Sequence, residues 1–211
     1  MKNIENLLKN IRGFDAAEFL APDSFFFPAY TWVWNAPVDD KTSKKQIDDM
    51  LQAGIRSFYI LPEPPQFRPN SMITKLDPPY MSDEFMERVR FAVSYAEKLG
   101  MTVWLYDEGG WPSGSACGLV AVRDPAFTLK GLEIDGENHY VRKLSDFRAD
   151  TLDSKAMDAF ISITHEKYKE YLLPFFGKNV PFIFTDEPYI AKNAWPEGIE
   201  ERFMEEYGYD L

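Results

Sequence analysis

Apolar runs and amphipathic segments alternate along this chain. Apolar runs rich in β-branched and aromatic residues predict four buried strands, at residues 25–35, 55–61, 101–106 and 180–185. Segments with helical spacing lie between them, and the pattern over residues 157–171 predicts one amphipathic helix before the fourth strand. Regular succession of strand and helix indicates parallel βαβ units, so the sequence predicts an α/β fold.

Residues typical of helix ends set the bounds of the first two helices. Ser43 followed by Gln46 forms a capping box, and Gly54 is placed to end that helix. Ser82 is a candidate cap for the second helix, and Gly100 follows its last apolar position. The stretch 120–149 interrupts the rhythm and predicts a small β-hairpin inserted after the third strand.

Polar residues gather where the predicted strands end. They are Trp34 and Asn35 after the first strand, Glu63 after the second, Asp107 and Glu108 after the third, and Asp186 and Glu187 after the fourth. A barrel collects its chemistry at the C-terminal ends of many strands, and the glycine-containing segment 109–114 lacks the lysine and spacing of a phosphate loop. The pattern favours a partial TIM-type (β/α) barrel of about four βα units over a nucleotide-binding sheet, as a single domain over residues 1–211.

Charge and composition limit the kinds of partner and the kinds of chemistry that this chain can have. The net charge of −11 disfavours nucleic acid, and no apolar run is long enough to span a membrane. The first residues lack the apolar core of a signal peptide, so a cytoplasmic protein is expected. The chain has one cysteine, Cys117, and two histidines, but 34 acidic residues, so its chemistry is expected to rest on carboxylates.

Two segments carry the candidate chemistry. YDEGGWPSG offers the carboxylates of Asp107 and Glu108 for sugar hydroxyls, with Tyr106 and Trp111 as aromatic faces, and its alternative is a solvated acidic turn. FTDEPY places Glu187 at a strand end, where apolar walls and a neighbouring carboxylate would keep it protonated as a general acid. Its alternative is a cap of the next segment.

The segments WVWNAPV, QIDDMLQAGIRSFYI, AVSYAEKLGMTVWLYDEGGWPSG and FISITHEKYKEYLLPFFGKNVPFIFTDEP together resemble the barrel of the α-L-rhamnosidase-type glycoside hydrolases. The resemblance spans about residues 28–211. It implies a (β/α)8 barrel that removes a terminal sugar with inversion, using two carboxylates, with Glu187 matching the acid after the fourth strand. Asp186 departs from the Asn that precedes the acid in the wider barrel glycosidases, because an ionised carboxylate cannot donate a hydrogen bond. The resemblance also allows Ca²⁺ at the sugar and an exported full-length relative.

Four strands make half of such a barrel, which typically needs about 250 residues. We therefore expect the second carboxylate to lie outside this chain, with Asp107 as a substitute, and no hydrolysis by the chain alone. Open sheet edges are expected to produce a homodimer or aggregation. Two other classes stay open: a noncatalytic carbohydrate-binding or structural half-barrel, and a metal-dependent barrel enzyme with Glu63, Asp107, Asp186 and Glu187 as oxygen ligands.

Strand-end aromatic residues are expected to form a concave floor for a sugar. The candidates are Trp32, Trp34, Trp104, Tyr106 and Trp111. Alternation along a strand directs Trp32 and Trp34 to one face, and it likewise pairs Trp104 with Tyr106. If all five packed beneath the helices, they would be ordinary core residues.

Overall fold

The computed structural model describes residues 13–22, 26–71 and 73–211. Its elements in chain order are α1 (Ala16–Leu20), β1 (Ala29–Trp34), α2 (Asp40–Gln52), β2 (Ser57–Pro62), α3 (Asp83–Lys98), β3 (Thr102–Tyr106), α4 (Leu119–Arg123), β4 (Lys130–Asp135), β5 (Asn138–Lys143), α5 (Ser154–Ile163), α6 (His165–Leu172), β6 (Ile183–Phe184) and α7 (Ile199–Tyr207). Across these described ranges, no helix is long and apolar enough to cross a membrane.

The main sheet is parallel and has the order β1-β2-β3-β6. Strands that follow one another in the main sheet are therefore neighbours, with helices between them along the chain. This confirms the predicted α/β fold and is consistent with a partial barrel. The separate antiparallel pair β4-β5 confirms the hairpin after the third strand, with Gly136 in the turn at a positive φ of 62°.

The core lies between the sheet and the helices. Phe58, Val103 and Leu105 contribute from the strands, and Phe85 and Val89 contribute from α3; all five are buried. Removing these apolar side chains from water supplies most of the drive for the helices to pack on this face.

The two outer strands are less buried than predicted. β1 has only Trp34 fully buried, and β6 consists of two residues, Ile183 and Phe184, that are 40% and 39% exposed. Residues 23–25 of the first predicted strand lie outside the described part of the chain. In that part, β1 and β6 each pair with one strand only, so an apolar run did not imply burial on both faces.

Both helices begin at a side-chain cap, and the predicted capping residue was right for α3 and wrong for α2. Ser82 caps α3 by accepting from the backbone N–H of Phe85 at 3.1 Å, as predicted. The predicted cap Ser43 was wrong, because Asp39 caps α2 four residues earlier and Ser43 is buried inside the helix. Gly54 follows the helix end with a φ of 89°.

The helix predicted over residues 157–171 is two helices, α5 and α6. They meet at Thr164, whose ψ of −70° departs from regular helix geometry. Its hydroxyl donates to the carbonyl of Phe160 at 2.8 Å and lies 2.8 Å from Nδ1 of His165. A threonine hydroxyl that bonds back to the preceding turn is a known cause of helix bending, so amphipathic spacing alone could not reveal the break.

Candidate functional site

The parallel order of the sheet brings the candidate polar residues to one edge. Asn35 follows β1, Glu63 lies one residue beyond β2, and Asp107 follows β3. Asp186 and Glu187 lie two and three residues beyond β6. The carboxyl ends of neighbouring parallel strands point the same way, so these residues share one rim, where ligands bind in open and closed α/β sheets.

Asp107 is the centre of a buried network at this rim. It is 1% exposed and accepts hydrogen bonds at 2.6 Å from the hydroxyls of Ser113 and Thr185. Nε2 of His165 lies 3.9 Å from the same carboxylate. Ser113 in turn accepts from the backbone N–H of Asp186 at 2.9 Å. Asp107 therefore fixes the segment that follows β6, and its oxygens are occupied by protein groups.

Glu108 is turned into its own loop. It is 1% exposed and accepts from the backbone N–H groups of Gly109, Ser115, Ala116 and Cys117. Burial raises the pKa of Glu108 to about 7, while these four backbone donors act to lower it. Glu108 thus organises residues 108–118, and a sugar hydroxyl could bind it only by displacing these donors.

Asp186 lies between the aromatic residues and the exposed Glu187. Its Oδ2 accepts from the hydroxyl of Tyr106 at 3.1 Å, and its Oδ1 accepts from the backbone N–H of Glu187 at 2.8 Å. Burial, followed by the charge of Asp186, raises the pKa of Tyr106, which keeps its proton and acts as the donor. Asp186 consequently has a fixed orientation and is half-buried.

Glu187 is exposed. Its side chain makes no hydrogen bond or ion pair within residues 13–22, 26–71 and 73–211. The apolar walls expected around it are not found there, because Glu187, Pro188 and Tyr189, beyond the end of β6, are all exposed. The carboxyl is therefore accessible to a solute.

An aromatic floor covers the face of the sheet opposite the helices. It consists of Tyr59, Trp104, Tyr106, Phe182 and Phe184. Tyr106 packs against Phe184 and Tyr59 with ring centroids 5.5 and 6.2 Å apart, and Trp104 packs against Phe182 at 5.0 Å. The expected pair Trp104 and Tyr106 does share a face. The other three members, Tyr59, Phe182 and Phe184, were not predicted from the sequence, although alternation along each strand was the available signal.

The first-strand tryptophans do not belong to this floor. Trp34 is 3% exposed and packs edge-on against Phe85 of α3, while the indole N–H of Trp32 donates to Gln46 of α2 at 3.0 Å. Trp34 was expected at the binding site and instead lies in the helix-side core, because it shares the strand face with Trp32. Trp111 lies at the rim, 38% exposed, with its ring 4.6 Å from that of Phe67.

The residues after β1 and β2 form one long hydrogen bond at the rim. The side-chain amide of Asn35 donates to Glu63 at 3.5 Å, and Glu63 is 4% exposed. In the described ranges, no group of three or more His, Cys, Asp or Glu side chains is arranged to hold a metal ion. The four acids considered as oxygen ligands therefore do not form a ligand set there.

Comparisons with known proteins give a distant likeness to a solved structure. No family model matches the chain, and no curated protein matches it. A solved structure of a rhamnosidase from Novosphingobium sp. PP1Y aligns with a TM-score of 0.41 and 23% identity, over 55% of this chain and 10% of that chain. The aligned part is thus a small fraction of that enzyme. It is a weak likeness to a glycoside hydrolase and does not assign the chain to a family.

Proposed function

We propose that this chain forms the sugar-binding, acid-bearing part of a glycoside hydrolase acting on a terminal, rhamnoside-like sugar. One observation carries the proposal: the aromatic floor leads to an accessible carboxyl, Glu187, on a segment fixed by buried hydrogen bonds. Aromatic surface together with a few placed polar groups is the usual composition of a small-molecule site. The sequence resemblance to rhamnosidase-type barrels supports the same chemistry.

In this proposal each group has a defined role. The exposed rings of the floor, Phe182 and Phe184, contact the C–H face of the sugar ring, whereas Tyr106 is buried and donates to Asp186. Asp186 accepts a hydrogen bond from a sugar hydroxyl with a remaining lone pair. Glu187 donates a proton to the glycosidic oxygen as the bond to the anomeric carbon breaks. A second carboxylate takes a proton from the water that attacks that carbon. Asp107 is assigned a positioning role, because its oxygens hold Ser113 and Thr185.

A noncatalytic carbohydrate-binding protein is the second candidate. It is favoured by the burial of Asp107 and Glu108, whose oxygens are taken by protein donors and so do not offer a second reactive carboxylate beside the floor. In that case Glu187 would contribute only a hydrogen bond to the bound sugar.

Leaving-group dependence separates these two candidates. Rates are compared for Glu187→Gln, wild type and the control Glu205→Gln, an exposed acid on α7, each in a protein that also carries the second carboxylate. The substrates are an aryl rhamnoside with a good leaving group and a rhamnose-containing disaccharide. Loss of a general acid is expected to cost about 10²- to 10⁴-fold on the disaccharide and much less on the aryl substrate. Equal losses on both would remove Glu187 from the acid role. Saturable disaccharide binding without turnover, in the protein that carries the second carboxylate, would support the binding candidate.

A further inference from the structure

Arg68 carries an unpaired guanidinium in an acidic protein. The chain has a net charge of −11, and Arg88, Arg90 and Arg142 each contact a carboxylate. Within the part of the chain that the structure describes, the guanidinium of Arg68 makes no ion pair and no hydrogen bond, and its contacts are with aromatic rings. Its five N–H donors are therefore available to a ligand.

Stacking holds this guanidinium in place. Its central carbon lies 4.4 Å from the ring centroid of Trp111 and 4.8 Å from that of Phe67. Phe67 also packs so closely on Gly110 that an added Cβ there would lie 2.1 Å from the Phe67 ring. The loops after β2 and β3 therefore pack tightly against each other, and we call the group of Phe67, Arg68, Gly110 and Trp111 the clamp. An arginine already ordered by stacking loses less conformational freedom on binding, and its planar fork matches a carboxylate.

The clamp is joined to the proposed sugar site through the loop after β3. Trp111 is two residues from Ser113, a distance of at most about 7 Å along an extended chain. Ser113 contacts the backbone N–H of Asp186, which precedes Glu187. The loop after β3 therefore carries Trp111 of the clamp and also holds the segment that bears Glu187.

We propose that Arg68, stacked on Trp111 and Phe67, binds the carboxylate of a uronic acid. The saccharide recognised by this site then carries an acidic sugar unit beside the one held on the floor. This inference rests on the proposed function and adds the charge of the substrate to it. A carboxylate would receive two parallel hydrogen bonds from the guanidinium, and the exposed Trp111 ring would contact the sugar to which it is attached.

Paired ligands that differ only in charge test this assignment. NMR titrations that follow the Trp111 indole N–H compare glucuronic, galacturonic and mannuronic acid with their uncharged methyl esters, and include rhamnose and glucose 6-sulfate. The proteins are wild type, Arg68→Gln, Arg68→Lys and the control Arg123→Gln, which alters an exposed arginine on α4. For wild type and the control, at least one acid should bind about tenfold or more tightly than its ester, as expected for hydrogen bonds to a charged group.

The variants give the remaining outcomes. Arg68→Gln should abolish the preference for acid over ester, and Arg68→Lys should retain only part of it, because an ammonium lacks the planar fork. Equal binding of acid and ester by wild type, or an unchanged preference in Arg68→Gln, would overturn the assignment. Binding of the sulfate but of none of the acids would also overturn it. Binding of rhamnose with no preference for acid over ester would overturn the assignment of Arg68 and leave the proposed function intact. Absence of binding by every sugar would contradict both the assignment and the proposed function.

Discussion

Ser113 offers the sharpest test of how the acid-bearing segment is held. Its hydroxyl donates to Asp107 at 2.6 Å and accepts from the backbone N–H of Asp186 at 2.9 Å, and the residue is 3% exposed. Ser113→Ala removes one hydrogen bond to a charged group, worth roughly 1.5 to 3 kcal/mol, and one to a neutral group, worth roughly 0.5 to 1.5 kcal/mol. We expect the free energy of unfolding to fall by about 2 to 4 kcal/mol.

Urea unfolding measures this loss. With a slope of about 2 kcal/mol per molar urea, the midpoint should fall by roughly 1 to 2 M. Ser162→Ala, an exposed serine on α5, is the control and should stay within about 0.5 kcal/mol of wild type. Hydrogen exchange of the Asp186 amide should accelerate in Ser113→Ala more than exchange in β2, because the amide loses its acceptor.

Coupling to Asp107 completes the test. In an Asp107→Ala background, Ser113→Ala should cost only the remaining bond to Asp186, since the two residues share one network. Two results would refute the central place of Asp107 in this network. One is a fall in the free energy of unfolding below about 0.5 kcal/mol for Ser113→Ala in the wild-type background, and the other is the same fall in both backgrounds.

Three further predictions follow from the loops and the sheet edges. Burial raises the pKa of Glu108 from 4.5 to about 7, so between these pH values the folded chain keeps a proton that the unfolded chain releases. The free energy of unfolding should therefore fall as the pH rises from 4.5 to about 7, by up to about 1.4 kcal/mol per pH unit. Urea unfolding at several pH values should show that Glu108→Gln lacks this contribution, and identical slopes would contradict it. Gly110→Ala should lower the melting temperature more than Gly136→Ala, because both glycines have positive φ but only Gly110 meets the Phe67 ring; equal shifts would count against the clamp. Light scattering should detect self-association through the open edges, weakened by Ile183→Lys, whereas a monomer at high concentration would argue against edge pairing.

The fold could be predicted because its signals are local. Alternation of apolar runs and amphipathic segments gave the strand order, and the Ser82 cap and the Gly136 turn follow from the preferences of single residues. Capping failed at Ser43, where Asp39 competed from four residues earlier. The break at Thr164 depends on a hydroxyl contact that hydrophobic spacing does not encode.

The site was harder to predict because its contacts join distant parts of the chain. Glu108 appeared available for a sugar, yet four backbone donors in the following loop surround it. Asp107 bonds Thr185, which is 78 residues away. The place of Phe184 on the floor depends on its register opposite Tyr106. The residue types were visible in the sequence, but their directions required the sheet.

The most direct test of the central claim is a sugar titration against the aromatic floor. Phe184→Ala removes a floor residue that is 39% exposed, and Phe176→Ala removes a ring that is 37% exposed and does not belong to the floor. The two changes expose similar surface, so they should destabilise the protein to a similar degree. If the floor binds the sugar, rhamnoside affinity measured by calorimetry should fall by about tenfold or more in Phe184→Ala and stay near wild type in Phe176→Ala. Equal affinities in wild type and both variants would contradict the claim that this face is a sugar site.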